Sequence, residues 1–423
     1  MANTNLSLKL DNGGELNGFY DPKFEGVAHE FVRNFQERAE VGASVAVTVE
    51  GDTVVDLWGG VAKPSDSTPW EKDTVSIVWS CTKGATAICA HNLAARGLLD
   101  YDALVAKYWP EYAQNGKENT RVSMLLAHQS GLPAFKAPLP DNAFCDWDFI
   151  CNALAEQAPF WEPGTAHGYQ MVSFGWLVGE LVRRVSGKSL GQFFQDEVAK
   201  PLGLDFWIGL PESEEHRVAP MIPAPPPSMD GPFVPFYAEF ADPTSVSFLS
   251  IMNMGGHMNP GTDGVFNFDS RAAHAAEIGG AGGITNARGL AGMYAPLANG
   301  GSLKGVTLVD ADTLARAAAV HSATALDRTL RIPMRYGLGF WKSIDNRNLA
   351  PGQQDSAIIS EEAFGHPGAG GSVGFADPKA RMSFGYTMNS MGAGLVLNER
   401  GQSLVDATYR TLGYTSNKSG RWI

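Results

Sequence analysis

The sequence predicts an α/β (α+β) fold in which an antiparallel sheet flanked by helices is built from both chain ends, with a mostly helical domain inserted between them. Three features point to it. A helical period near the N-terminus runs straight into a strand–turn–strand pattern, strand-like texture returns only near the C-terminus, and the stretch between reads as helices ended by Gly or Pro. The expected division is residues 1–99 with 281–423 for the α/β domain and 100–280 for the helical domain, which carries a Pro-rich loop at 219–236.

Each element has its own reason. Asp21 is an N-cap with Pro22 behind it, and Phe24, Val27, Phe31, Val32 and Phe35 then recur at helical spacing. VGASVAVTVEGDTVVDLWGG is two β-rich runs about Glu50-Gly51-Asp52, a hairpin. Ser80 to Arg96 is rich in Ala, Leu and Ile and stops at Gly97, a C′ residue. VSMLLAHQSGLP, FGWLVGELVRRVSG and SLGQFFQDEVAKPLGL supply the helical middle, while APMIPAPPPSMDGPFVPF fits neither regular helix nor central strand. RYGLGFW and GSVGFADPKARMSFGYTMN return to strand, the latter turning at Asp377-Pro378-Lys379, and a last helix runs from about Glu399 to Leu412.

Composition narrows the function. A chain of 423 residues, 44% hydrophobic, can bury a sizeable core, and a formal charge of −13 without a Lys/Arg cluster excludes nucleic acid as a partner. No segment reaches membrane-spanning length without polar interruption and the N-terminus lacks a signal-peptide core, so the expectation is a cytoplasmic protein without a membrane partner. Cys81, Cys89, Cys145 and Cys151 show no paired zinc-ligand spacing and are expected to be free, mostly buried thiols. HExxH, phosphate-loop and dinucleotide-binding motifs are absent, so neither metal nor cofactor is implied.

Two serines compete as nucleophile. Gly370-Gly371-Ser372-Val373-Gly374 fits G-x-S-x-G, but that elbow needs a helix after the serine and a histidine later in the chain. Here a second strand pattern follows Ser372, and no histidine lies beyond His366. Ser372 therefore reads as part of a glycine-rich strand edge. Ser80-Cys81-Thr82-Lys83 is the chain's one S-x-x-K, in the first turn of the expected helix, where positions i and i+3 share a face. A serine hydroxyl needs a neighbour to take its proton, and a lysine does so only when burial or positive potential brings its pKa down from about 10.4. A nearby tyrosine can relay that proton and protonate the leaving alkoxide, and two backbone N–H groups must face the intermediate's oxygen.

With LLAHQSGLP, PFWEPGTAHGYQ, GELVRRVSGKSLGQFF, AKPLGL, RYGLGFW and GHPGAGGSVGFADP following S-C-T-K in order, the chain resembles the serine β-lactamase and penicillin-binding-protein superfamily, within it the family VIII carboxylesterases. The resemblance implies a β-lactamase-like fold and a serine hydrolase of short-chain carboxylic esters working through an acyl-enzyme, with a small-molecule ester as substrate. It implies Ser80 as nucleophile, Lys83 as general base and Tyr169 as third member. His366-Pro367-Gly368 would take the strand position where β-lactamases carry Lys-Thr-Gly, so that His366 and Gly368 face the substrate and the N–H of Ala369 joins that of Ser80 on the oxyanion. Two departures favour an uncharged ester: Met171 stands where the family has an asparagine, and neutral His366 replaces the strand lysine. Cephalosporin hydrolysis, D-amino peptidase activity and acyl transfer are the alternatives on this scaffold. His167 reads as a surface or supporting residue without an acid in sequence range, and Asp100 and Asp102 as helix-capping carboxylates.

Overall fold

The computed structural model describes residues 3–11, 14–224, 234–262 and 264–423. Its main sheet draws strands from both chain ends. Thr4–Lys9 (β1), Glu15–Tyr20 (β2), Gly42–Val49 (β3), Asp52–Lys63 (β4) and Thr68–Pro69 (β5) come from the first, and Phe364–Pro367 (β6), Val373–Asp377 (β7) and Met382–Met388 (β8) from the last. They lie in the order β1-β2-β4-β3-β8-β7-β6, with β5 paired to β4, and every pair is antiparallel. The β1–β2 hairpin has no counterpart in the expected elements, since TNLSLK and ELNGFY are too polar to announce strands.

Strands β3 and β8 are buried along nearly their whole length because helices cover both faces. Glu25–Glu37 (α1) packs with the C-terminal helix Glu399–Thr411, and Ala287–Ala298 lies against β3, β7 and β8. Gly374 and Gly385 are paired across β7 and β8, and a Cβ on Gly385 would sit 2.3 Å from Ala287 O, one on Gly374 2.9 Å from the Tyr294 ring. The last glycine of the G-x-S-x-G pattern is thus explained by close helix–sheet packing.

Cys81–Ala95 (α2) is buried on all sides over residues 81–93, as its run of small and apolar residues requires. It packs on Phe174–Ser186 (α3) of the helical middle. RYGLGFW is a short strand, Met334–Tyr336, followed by a turn at Gly339 (φ 78°) that brings Trp341 onto Gly365 of β6. Of the Pro-rich stretch at 219–236, residues 225–233 lie outside the described residues; its end departs from a plain loop, since Pro235 opens a helical turn, Pro235–Ala238, as proline does at a first helical position. Among the described residues no helix is long and apolar enough to cross a membrane. Cys81, Cys89 and Cys151 are buried free thiols and Cys145 is an exposed one.

The two chain ends are joined by a buried ion pair: Arg400 Nη1 lies 2.7 Å from Glu40 Oε1, and the Tyr386 hydroxyl of β8 donates to the same carboxylate. Arg400→Ala leaves that carboxylate without its cation and is expected to cost about 3–5 kcal/mol, read as a lower urea midpoint at unchanged slope.

Candidate active site

The short strand Ser76–Ile77 pairs with Gly283–Thr285 and leads into Trp79, whose φ of 46° is a strained left-handed value for a bulky residue. That single residue turns the chain from strand into helix and leaves Ser80 at the N-cap of α2. Thr82 locks the turn: its hydroxyl donates to Trp79 O at 2.5 Å and accepts the Gly283 N–H at 2.8 Å. Ser80 is partly exposed, whereas Lys83 is buried.

Ser80 and Lys83 face each other, with Nζ 2.9 Å from Oγ. Nζ also donates to Met171 O at 2.6 Å and to Gly280 O at 2.7 Å. Gly280 comes within reach because Gly175 of α3 has no side chain; a Cβ there would lie 2.2 Å from Gly280 N. Burial drives the Lys83 pKa well below the ordinary lysine value. A neutral amine has two N–H groups and one lone pair, and the two carbonyls can only accept. In that neutral form they take both N–H groups and leave the lone pair for the Ser80 hydroxyl. Met171, expected to matter only for the amide it lacks, contributes its backbone.

Tyr169 lies in a stretch without regular secondary structure and puts its ring 4.8 Å from Lys83 Nζ. Burial raises the phenol pKa, against the opposing hydrogen bond with the Ser80 hydroxyl, so the group stays protonated. Successive N–H groups hold the stretch in place: Gly168 donates to His128 O at 3.1 Å, Tyr169 to both Asp327 oxygens at 3.1 Å, and Gln170 to His128 Nδ1 at 3.1 Å. The His128 ring lies against the rings of Tyr169 and Tyr336, at 5.0 Å and 4.5 Å.

The end of β6 closes the other side. His366 is buried, packs on Trp341 at 5.1 Å and Tyr169 at 6.0 Å, and donates from Nδ1 to Pro367 O at 2.6 Å. Burial holds its pKa far below the usual imidazole value, so Nε2 presents a lone pair. Gly368 abuts the turn that leads to Ser80: a Cβ there would meet Val78 O and Ser372 Oγ, both at 2.3 Å. Ala369 follows it, exposed.

Other residues singled out in the sequence take different places. Ser372 is fully buried and its hydroxyl donates to Val78 O at 3.2 Å. His167 is buried rather than at the surface, and an acid does lie near it: Asp327, remote in sequence, puts Oδ2 3.7 Å from Nε2. Asp100 accepts the Asp102 N–H at 2.9 Å within a turn, and Asp102 pairs with Arg316 at 2.5 Å, so neither caps a helix. Sequence reasoning missed Asp327 and the Gly280 carbonyl, and it marked the segments holding His128, Tyr336 and Trp341 without giving these residues work. Among the described residues no cluster of His, Cys, Asp and Glu is arranged to hold a metal ion.

The chain has known relatives. The family described as beta-lactamase matches residues 29–407. The esterase/beta-lactamase LipL of Mycobacterium tuberculosis is 32% identical over 92% of this chain and 86% of its own. A crystal structure of a family VIII carboxylesterase superposes with a TM-score of 0.81 at 40% identity, covering 94% of this chain and 99% of the other. A penicillin-binding-protein homolog from Caulobacter crescentus gives a TM-score of 0.82 at 34% identity, covering 94% and 99%. With a family match spanning most of its length and relatives of this identity, the chain belongs to the beta-lactamase family.

Proposed function

We propose that this protein is a serine hydrolase of short-chain, uncharged carboxylic esters, acting through an acyl-enzyme on Ser80. The observation that carries the reading is the buried Lys83 amine, with both its N–H groups spent on the Met171 and Gly280 carbonyls and the Ser80 hydroxyl at 2.9 Å. Esterase names among the relatives support it.

In the first half-reaction the Lys83 lone pair takes the Ser80 proton as Oγ attacks the ester carbonyl. The developing oxyanion is received by the N–H groups of Ser80 and Ala369, the second next to the Gly368 that packs on Val78 O. The C–O bond to the leaving group then breaks, and the expelled alkoxide takes a proton from the Tyr169 phenol, which Lys83 replenishes. Water repeats the sequence on the acyl-enzyme and releases the acid. His366 and Gly368 line the substrate side. A neutral imidazole in place of a lysine offers no counter-charge to a carboxylate, which favours uncharged esters over β-lactams.

A second reading is favoured by the Mycobacterium tuberculosis relative, whose name joins esterase to β-lactamase. Rates on an aryl butyrate and a chromogenic cephalosporin separate the two, and faster cephalosporin turnover would make β-lactam hydrolysis the primary activity. Acyl transfer follows from the same intermediate wherever an alcohol outcompetes water.

Ser80→Ala is expected to abolish turnover and to stop a fluorophosphonate labelling the peptide that holds Ser80, while Ser372→Ala keeps most of both. Lys83→Arg, charged at every accessible pH, is expected to lose about 10²–10⁴-fold in kcat. In the unaltered enzyme kcat/KM should rise with pH as Lys83 loses its proton and level off far below pH 10.5, because burial lowers that pKa; a limb still climbing at pH 10 would rule out a neutral amine. Gly368→Ala drives a Cβ into the Val78 carbonyl, 2.3 Å away, and is expected to cut kcat by about 10²-fold through the displaced oxyanion donor.

A further inference from the structure

Asp327 is fully buried, and four donors converge on its carboxylate. Oδ1 accepts the Thr329 and Leu330 N–H groups at 2.8 Å each, which shapes its own loop. The Tyr169 N–H reaches both oxygens at 3.1 Å, and the Tyr336 hydroxyl donates to Oδ2 at 3.1 Å. One carboxylate therefore joins the loop, the backbone of the site tyrosine and the hydroxyl of a second tyrosine, whose ring lies nearly parallel to the first at 6.3 Å and 11°. Tyr169 has no helix or strand to hold it, so its position depends on these bonds and on His128.

We propose that Asp327 is a positioning residue for Tyr169: by accepting the Tyr169 N–H and the Tyr336 hydroxyl at once, it fixes the phenol beside Lys83 and Ser80. The inference rests on Tyr169 being the working phenol. Only the ionised carboxylate has acceptor capacity for all four groups, because a protonated one turns one oxygen into a donor.

The titration supports this. Burial raises the Asp327 pKa to about 6, and the N–H groups of Leu330, Tyr169 and Thr329 with the Tyr336 hydroxyl pull against it. As pH falls through that value the carboxyl takes a proton, the clamp loosens and turnover falls. Other groups facing it are distinguishable. His167, at 3.7 Å, is held at about 4 by burial, and the His128 imidazole is held far below its ordinary value. Tyr169 and Tyr336 are raised. On the carboxylate's own loop, Arg331 is engaged by Glu239 at 3.2 Å and Arg328 lies over the Trp161 ring at 5.1 Å. Lys83 lies beyond Tyr169 and makes no bond to Tyr336.

The test compares Asp327→Asn, Tyr336→Phe and Tyr169→Phe on an aryl butyrate from pH 5 to 9. Asp327→Asn should lower kcat by about 10–100-fold with KM within about threefold, and should lose the step near pH 6. Tyr336→Phe keeps the ring but removes one donor that favours the carboxylate, so its acid limb should move up by about one pH unit while the plateau stays within about threefold. A residue serving stability alone would leave that limb where it is. If Asp327→Asn does not fold, Tyr336→Phe decides. Wild-type kcat in Asp327→Asn, or an unmoved limb in Tyr336→Phe, overturns the inference. Tyr169→Phe at full rate would instead retire the phenol's role and with it the proposed catalytic scheme.

Discussion

The site depends on one buried amine. Lys83 sits where water cannot solvate an ammonium, and two backbone carbonyls, from Met171 and Gly280, occupy its N–H groups. Neither carbonyl belongs to a regular element carrying a motif. Each is set by packing: the Gly279-Gly280 turn by the bare Gly175 of α3, and Met171 by the clamped stretch before it. Small shifts in α3 or in the Asp327 loop would therefore be felt at Nζ, although neither touches a substrate.

Much of the fold was legible because its patterns are local. The period of α1, the hairpin about Gly51 and the α2 run rich in small and apolar residues follow from spacing and propensity. The β1–β2 hairpin escaped because its residues are only half-buried and polar, and pairing rather than composition makes them strands. The Ser80–Lys83 pair was legible for the same local reason, being one helical turn apart. Asp327 was not. A lone acid in LDRTL carries no spacing signal, and its meaning arises only when the fold brings it under Tyr169, far away in sequence. The burial of His167 was illegible for the same reason, since the acid beside it is that same residue.

The neighbourhood of the phenol is unusually aromatic. His128, His366, Tyr336 and Trp341 surround Tyr169, and both histidines are neutral because burial disfavours their charge. A ring of uncharged groups keeps the dielectric low around Lys83 without adding cations that would bind anions. The same burial lowers the pKa of the amine and of both histidines.

The closeness of Gly368 to Val78 has a consequence for the newly made chain. The turn that holds Ser80 is made early, but the strand edge packed against it comes near the end of the polypeptide. A chain lacking β6 has Ser80 and Lys83 without the strand end that packs on Val78. The surroundings of the Ser80–Lys83 pair are thus complete only when the two ends of the chain meet in the sheet.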